Sequence, residues 1–424
     1  MPDDTSALTK NTWRFRGNPE PKEEPRTMIR GALTFLMSNL NKSDNRPVIP
    51  MSITEPSAFE CFKTTQVATQ AVTDVVRSNK FNGYASPSVG ILPARRAVAE
   101  HLSKDLPDKL SPDNVFLTLG CRQAMHCILH ALGGSKSNIL IPKPYFPYYD
   151  YFPELHNFEV RFFNLLPEKN WEIDIDSLRA AADENTVAMI ITNPGNPCAN
   201  VFTYRHLEKV AETAKTLGIL VISDEVYAHI VFGESPFVPM GVFASITPVV
   251  TIGSISKRWL VPGWRMGWVV THDPNGILKE HGIPQSMKRF LDISPNPPTI
   301  IQAALPDILA NTKDDFFSKT LNIIKEDANS FYEGIKHVPG MTCPTKPEGS
   351  MSTMVKLDLS VFEDIEDDMN FCLKLAKEES VIILPGVSVG LSNWLRITFA
   401  IDPLFLEDGM KRLKDFCERH SKKM

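Results

Sequence analysis

Short apolar runs and helix-patterned stretches alternate through the middle of the chain. The runs are VFLTLG at 115, NILIPKP at 138, EVRFFNL at 159, VAMIITNP at 187, ILVISDEVY at 219, VVTIGSISK at 249 and GWVVTH at 267. They are apolar on both faces, and intervening stretches such as TYRHLEKVAETAKTLG place apolar residues at helical spacing. Strands buried on both faces and separated by helices predict a mostly parallel, seven-stranded sheet sandwiched by helices, an α/β architecture. Ligands of such sheets sit beyond the carboxyl ends of the strands, so chemistry is to be sought in the polar residues that close these runs.

The pattern changes on either side. Residues 1–27 read as a flexible arm because proline and charge dominate them, and MIRGALTFLMSNL, from Met28, has helical spacing. Residues 28–75 are expected to contribute to a smaller domain and to a contact between subunits, and 76–300 to form the large domain. Residues 301–338 read as helical connection, with Pro306 and the ANT triplet as candidate breaks. Residues 339–424 supply STMVKLDLS, VIILPG and WLRITFA as strands and two charged helices, enough for a small α+β domain.

At 424 residues the chain exceeds one ordinary core, in keeping with two domains. A net charge of -5 leaves no basic surplus for a phosphate backbone, so nucleic acid is not an expected partner. The polar N-terminus lacks the apolar core of a signal peptide or a membrane span, and a cytoplasmic protein without a membrane partner is the expectation. Seven scattered cysteines, without zinc-like spacing, read as reduced thiols and no metal.

The strand ends carry the candidate chemistry. Lys257 closes VVTIGSISK, where a buried charge is costly, so it lies at the rim or is chemically used. Asp224, Glu225 and Tyr227 close another run; a carboxylate there needs a positive partner, or else caps the next helix. The double Asn-Pro of NPGNPCAN forces a turn that can aim Asn196 into a cleft. Gly120, between a strand and a helix, leaves free N–H groups for an anion. With Arg265 these residues meet the demands of pyridoxal phosphate: a lysine for the aldehyde, a carboxylate for the ring nitrogen, and donors for the phosphate and phenolic oxygens.

The motifs SISKRWLVPGWRMGW, NPGNPCAN, SDEVY, NGYASPSVG and NWLRITFA resemble, in the expected order, the class I pyridoxal-phosphate aminotransferases of fold type I. The closer likeness is to the plant tyrosine aminotransferase group, which also contains cystine and other C–S lyases. The resemblance implies that Lys257 holds the cofactor aldehyde and moves the substrate proton, that Asp224 pairs with the pyridinium nitrogen, and that Asn196 and Tyr227 bond the phenolic oxygen. It implies Phe146 as the stacking aromatic, and phosphate held by the backbone of Gly120 and Cys121, by Ser254 and Ser256, and by Arg265. Tyr84 matches a residue that reaches the phosphate of the other subunit, which implies a homodimer with shared active sites. Arg396 matches the clamp on the substrate α-carboxylate, with Asn196 and Thr54 beside the substrate. The activity implied is transamination from tyrosine or another aromatic amino acid to 2-oxoglutarate; β-elimination by a C–S lyase is the alternative.

Departures from the family pattern gather near the substrate and the phosphate. Thr54 stands where glycine is usual, and its Cβ would crowd the substrate carboxylate or shift the small domain. Ala199 replaces a glycine of the NPxNPCG turn, at a cost of about 1 kcal/mol or more if positive φ is required there. In LGCRQ, Leu119 and Arg122 replace smaller or polar residues, and Arg122 either adds phosphate charge or faces solvent.

Overall fold

The structure, a computed structural model, describes residues 28–422, so the arm expected over 1–27 lies outside the described residues. All seven apolar runs form strands of one sheet, and the two-residue strand Glu172–Ile173 joins its edge as an eighth. The order across the sheet is Val115–Thr118, Gly267–His272, Val249–Ser254, Leu220–Asp224, Thr186–Thr192, Asn138–Lys143, Glu159–Leu166 and Glu172–Ile173. The strands from Val249–Ser254 through Glu159–Leu166 run parallel. Gly267–His272 is antiparallel to both of its neighbours.

Burial explains why the central runs are apolar throughout, whereas Glu159–Leu166, with one buried residue, carries Glu159, Arg161 and Asn164. Every residue of Leu220–Asp224, Val249–Ser254 and Gly267–His272 is buried. Alternate residues enter different cores: Ile190, Ile222 and Ile252 pack with Ile128 and Met287, while Met189, Val221 and Val249 pack with Leu207 and Ala211. Helix Tyr204–Leu217, on the second of these faces, starts at Thr203, whose side chain accepts from His206 N–H, and stops at Gly218 with φ 69°.

The second sheet is antiparallel, in the order Met341–Thr342, Ser352–Leu357, Trp394–Thr398, Leu384–Pro385. Helices Asp368–Glu379 and Pro403–His420 pack against each other beside it, burying Phe371 and Phe416. The VIILPG run divides: Leu384–Pro385 joins this sheet, whereas Val381–Ile382 pairs in parallel with Ile49–Pro50. That pairing, with the bond from Thr398 N–H to Met51 carbonyl at 2.8 Å, carries Ser52 and Thr54 past the end of the strand that bears Arg396. The helical connection breaks at Thr312 and Lys313, between Thr299–Asn311 and Asp314–Ile335, while Pro306 sits inside the first helix. No helix among the described residues is long and apolar enough to cross a membrane, and all seven cysteines are unpaired.

One buried acid in this region gives a stability prediction. Asp327 is 3% exposed, its Oδ2 has no hydrogen-bond partner, and burial together with the charge of Asp402 pushes its pKa up to about 8. The folded state therefore holds a proton that the unfolded chain releases near 3.8. Stability is lost as pH rises through that interval and changes little above it. Asp327→Asn is expected to stabilise the protein more at about pH 9 than at about pH 5, by on the order of 2 kcal/mol after allowance for local relaxation. Urea unfolding at the two pH values checks this; an equal effect at both would contradict a protonated Asp327.

Candidate active site

At the carboxyl ends of the parallel strands lies a cavity of about 190 Å³. Thr54, Cys121, Phe146, Asn196, Asp224, Tyr227, Ser254, Ser256, Lys257 and Arg265 line it together, although the sequence scatters them over more than two hundred positions. Sheet register brings several of these close: Thr192 lies opposite Asp224, which lies opposite Ile252, two residues before Ser254.

The Asn-Pro turn separates its two asparagines by role. Asn193 is used by the backbone, accepting from Phe202 N–H at 3.0 Å and donating to Val238 carbonyl at 3.2 Å. Asn196 is buried, and its Oδ1 has no protein partner. Ala199 does adopt the positive φ, 60°, that the sequence raised as a condition. Backbone bonds hold it there: its N–H donates to Gly195, and its carbonyl accepts from Glu348 and Gly349.

Asp224 and Tyr227 face the cavity, while Glu225 turns away to accept from Ser223 Oγ and Met240 N–H. Burial raises the Asp224 pKa; a hydrogen bond from Tyr149 Oη, the Val226 N–H at 3.0 Å and nearby Lys257 all oppose that rise. Tyr227 Oη is buried without a partner, and its ring centroid lies 5.9 Å from Lys257 Nζ. Lys257 Nζ donates to the Thr54 main-chain carbonyl at 2.5 Å. Thr54 thus stands beside the lysine and lines the cavity.

The end of the cavity near Gly120 is built on two close approaches. Helix Gly120–Leu132 has no side-chain cap at its start, which leaves its first N–H groups free for an acceptor. Gly120 has φ +71°, and a Cβ there would lie 2.6 Å from Arg265 Nη2; one at Gly267 would lie 2.7 Å from Gly120 Cα. Only glycine at both positions lets this turn meet Arg265. Arg265 donates to the carbonyls of Pro262 and Leu119 at 2.9 and 3.1 Å, so Leu119 contributes its backbone rather than its side chain. Ser254 and Ser256 are buried beside it. Arg122 is exposed at the cavity wall, its guanidinium 4.6 Å from the centroid of the Tyr148 ring.

Besides Gly120, two candidates lie outside the lining. Arg396 is 1% exposed; Nη2 donates to Ser52 carbonyl at 2.5 Å, Nε has no partner, and no carboxylate pairs with it among the described residues. Burial lowers its pKa to about 10, which still leaves it charged at neutral pH. A buried cation without an anion is poised for an anionic ligand. Tyr84 is fully exposed and is not among the residues that line this chain's cavity. Sequence reasoning missed Tyr149, which lies in a run of aromatic residues that nothing distinguishes, and the carbonyls of Ser52 and Thr54, which leave no side-chain signature.

Residues 46–413 match the family model described as aminotransferase class I and II. The chain is 53% identical to the probable aminotransferase TAT2 of Arabidopsis thaliana, over 93% of this chain and 96% of that one. It is 48% identical to the S-alkyl-thiohydroximate lyase SUR1 of Arabidopsis thaliana, over 97% and 89%. Among solved structures, tyrosine aminotransferase from Leishmania infantum superposes with a TM-score of 0.88 at 31% identity, covering 96% of this chain and all of that one. The chain belongs to the class I and II aminotransferases, a family that works with pyridoxal phosphate.

Proposed function

We propose that the protein transfers the amino group of tyrosine or another aromatic amino acid to 2-oxoglutarate, using pyridoxal phosphate held on Lys257. The observation that carries this reading is the convergence of Lys257, Asp224, Asn196 and Tyr227 on one cavity, where Asn196 Oδ1 and Tyr227 Oη are buried and unpartnered. Each such atom costs about 1–3 kcal/mol unless an occupant bonds it, so the residues fit a ligand with a polar oxygen at that place. When bound, pyridoxal phosphate supplies an aldehyde and a ring that accepts electrons from the substrate's Cα.

The protein's own groups do the rest. Asp224 holds the ring nitrogen protonated, Asn196 and Tyr227 bond the phenolic oxygen, and Phe146 packs on the ring face. The N–H groups of Gly120 and Cys121, the hydroxyls of Ser254 and Ser256, and the fork of Arg265 bind the phosphate. Lys257 takes the proton from the substrate's Cα, and Arg396 grips the α-carboxylate beside Thr54 and Asn196. Tyr84 completes the phosphate site of a second copy, so the working unit is a homodimer. Residues 76–300 form the cofactor-binding domain and 339–424, with 28–75, the smaller one; the unpaired cysteines suit a cytosolic location.

A second reading, β-elimination from a substrate with sulfur on Cβ, has the support of the lyase relative at 48% identity. The cofactor-holding groups serve both reactions, and the side-chain pocket decides between them. The discriminating experiment incubates the cofactor-loaded protein with tyrosine plus 2-oxoglutarate and, separately, with cystine alone, following glutamate and pyruvate by mass spectrometry. Glutamate from the first mixture is expected. Pyruvate from the second, without glutamate from the first, would replace transamination with lysis.

A further inference from the structure

Tyr149 is 2% exposed, yet none of the groups that the cofactor chemistry calls for is a tyrosine at this place. Its hydroxyl donates to Asp224 Oδ2. Its N–H closes a turn onto Phe146 carbonyl at 3.1 Å, and its ring meets that of Phe146 edge-on, with centroids 5.4 Å apart and planes at 73°. One side chain therefore touches both the acid assigned to the ring nitrogen and the aromatic plate assigned to the ring face. Asp224 Oδ1 is taken by Val226 N–H, so both carboxylate oxygens have a fixed donor and the group has lost its rotation.

We propose that Tyr149 is a positioning residue for the cofactor: its hydroxyl holds the Asp224 carboxylate charged and aimed, and its ring sets the gap between Asp224 and Phe146. The inference rests on the cofactor reading above. A phenol suits the task because it donates without bringing charge. A lysine or arginine there would neutralise the carboxylate and compete with the protonated ring nitrogen for it. Burial and the charge of Asp224 push the Tyr149 pKa well above its ordinary value, so the phenol stays a neutral donor. The titratable groups coupled electrostatically to Asp224 are Tyr149, Lys257, Cys121 and, turned away from the cavity, Glu225; the Cys121 thiol is itself pushed up by burial and by Asp224.

The test is a cycle of four cofactor-free proteins: wild type, Tyr149→Phe, Asp224→Asn and the double variant, each titrated with pyridoxal phosphate by absorbance. Tyr149→Phe is expected to raise the dissociation constant about tenfold, the worth of one hydrogen bond to a charged group. In the Asp224→Asn background the same change should cost less than about twofold, because the charge through which Tyr149 acts is gone. The tenfold ratio should widen from about pH 8.5 to about pH 6, as Asp224 loses a donor that opposes its protonation. Tyr148→Phe, which removes a hydroxyl from the ring beneath Arg122, should bind as wild type does.

Equal losses in both backgrounds, a pH-independent ratio or no loss would overturn the inference. If Tyr149→Phe does not fold, Tyr149→His keeps an N–H donor: binding close to wild type would support the inference, and binding as weak as in Asp224→Asn would overturn it. A wild-type protein that fails to bind pyridoxal phosphate would instead remove the cofactor reading itself.

Discussion

Lys257→Ala is expected to lower turnover by about ten-thousandfold or more while leaving a folded protein that still binds pyridoxal phosphate without a covalent bond. Lys257 supplies the only lysine amine among the cavity-lining residues, so no neighbouring side chain can replace it as attachment point and proton carrier. The groups assigned to the ring and phosphate, Asp224, Asn196, Tyr227 and Arg265, sit on other segments and keep their places. The loss should therefore fall on turnover, with cofactor affinity weakened but measurable. Single-turnover kinetics on the reconstituted variant check this, and turnover within about a hundredfold of wild type would remove Lys257 from the reaction.

Arg396→Ala should lower kcat/KM by on the order of a hundredfold for every amino acid tested, mainly by raising KM. The uniformity follows from what the arginine binds, because all α-amino acids share the carboxylate and differ in the side chain. Arg396→Lys should restore little: the guanidinium spans from the Ser52 carbonyl to its unpaired Nε, and an ammonium offers one point charge in place of that fork. A kinetic panel of aromatic, aliphatic and acidic amino acids tests the claim. A loss confined to one substrate class would assign Arg396 to the side-chain pocket.

Seven of the eight strands of the large sheet were legible as apolar runs, most of them because strands buried on both faces need continuous apolar residues, and the helices between them carry the other periodicity. Lys257 and Asp224 stood out as polar residues closing such runs and Asn196 through its Asn-Pro turn, each with an ordinary explanation when taken alone and informative only as a set. Gly120 and Arg265 were legible as types, but their contact was not, because it depends on the approach that Gly267 permits. The pairing of Ile49–Pro50 with Val381–Ile382 is short and remote in sequence, so no local pattern announces it. That pairing nonetheless sets where Ser52 and Thr54 lie. Tyr149 was hidden among Tyr145, Phe146, Tyr148, Tyr151 and Phe152, where only the fold decides which hydroxyl meets Asp224. Ala199 was read conditionally, and its φ of 60° shows a residue held in the strained region by neighbouring backbone bonds rather than by its own preference.

The proposed transamination depends on Lys257 carrying pyridoxal phosphate in this cavity. The most direct measurement reduces the cofactor-loaded protein with borohydride, digests it and locates the pyridoxyl group by mass spectrometry. A single modified lysine, Lys257, is expected, with the visible absorbance lost on reduction. A pyridoxyl group spread over surface lysines, or none on Lys257, would contradict it.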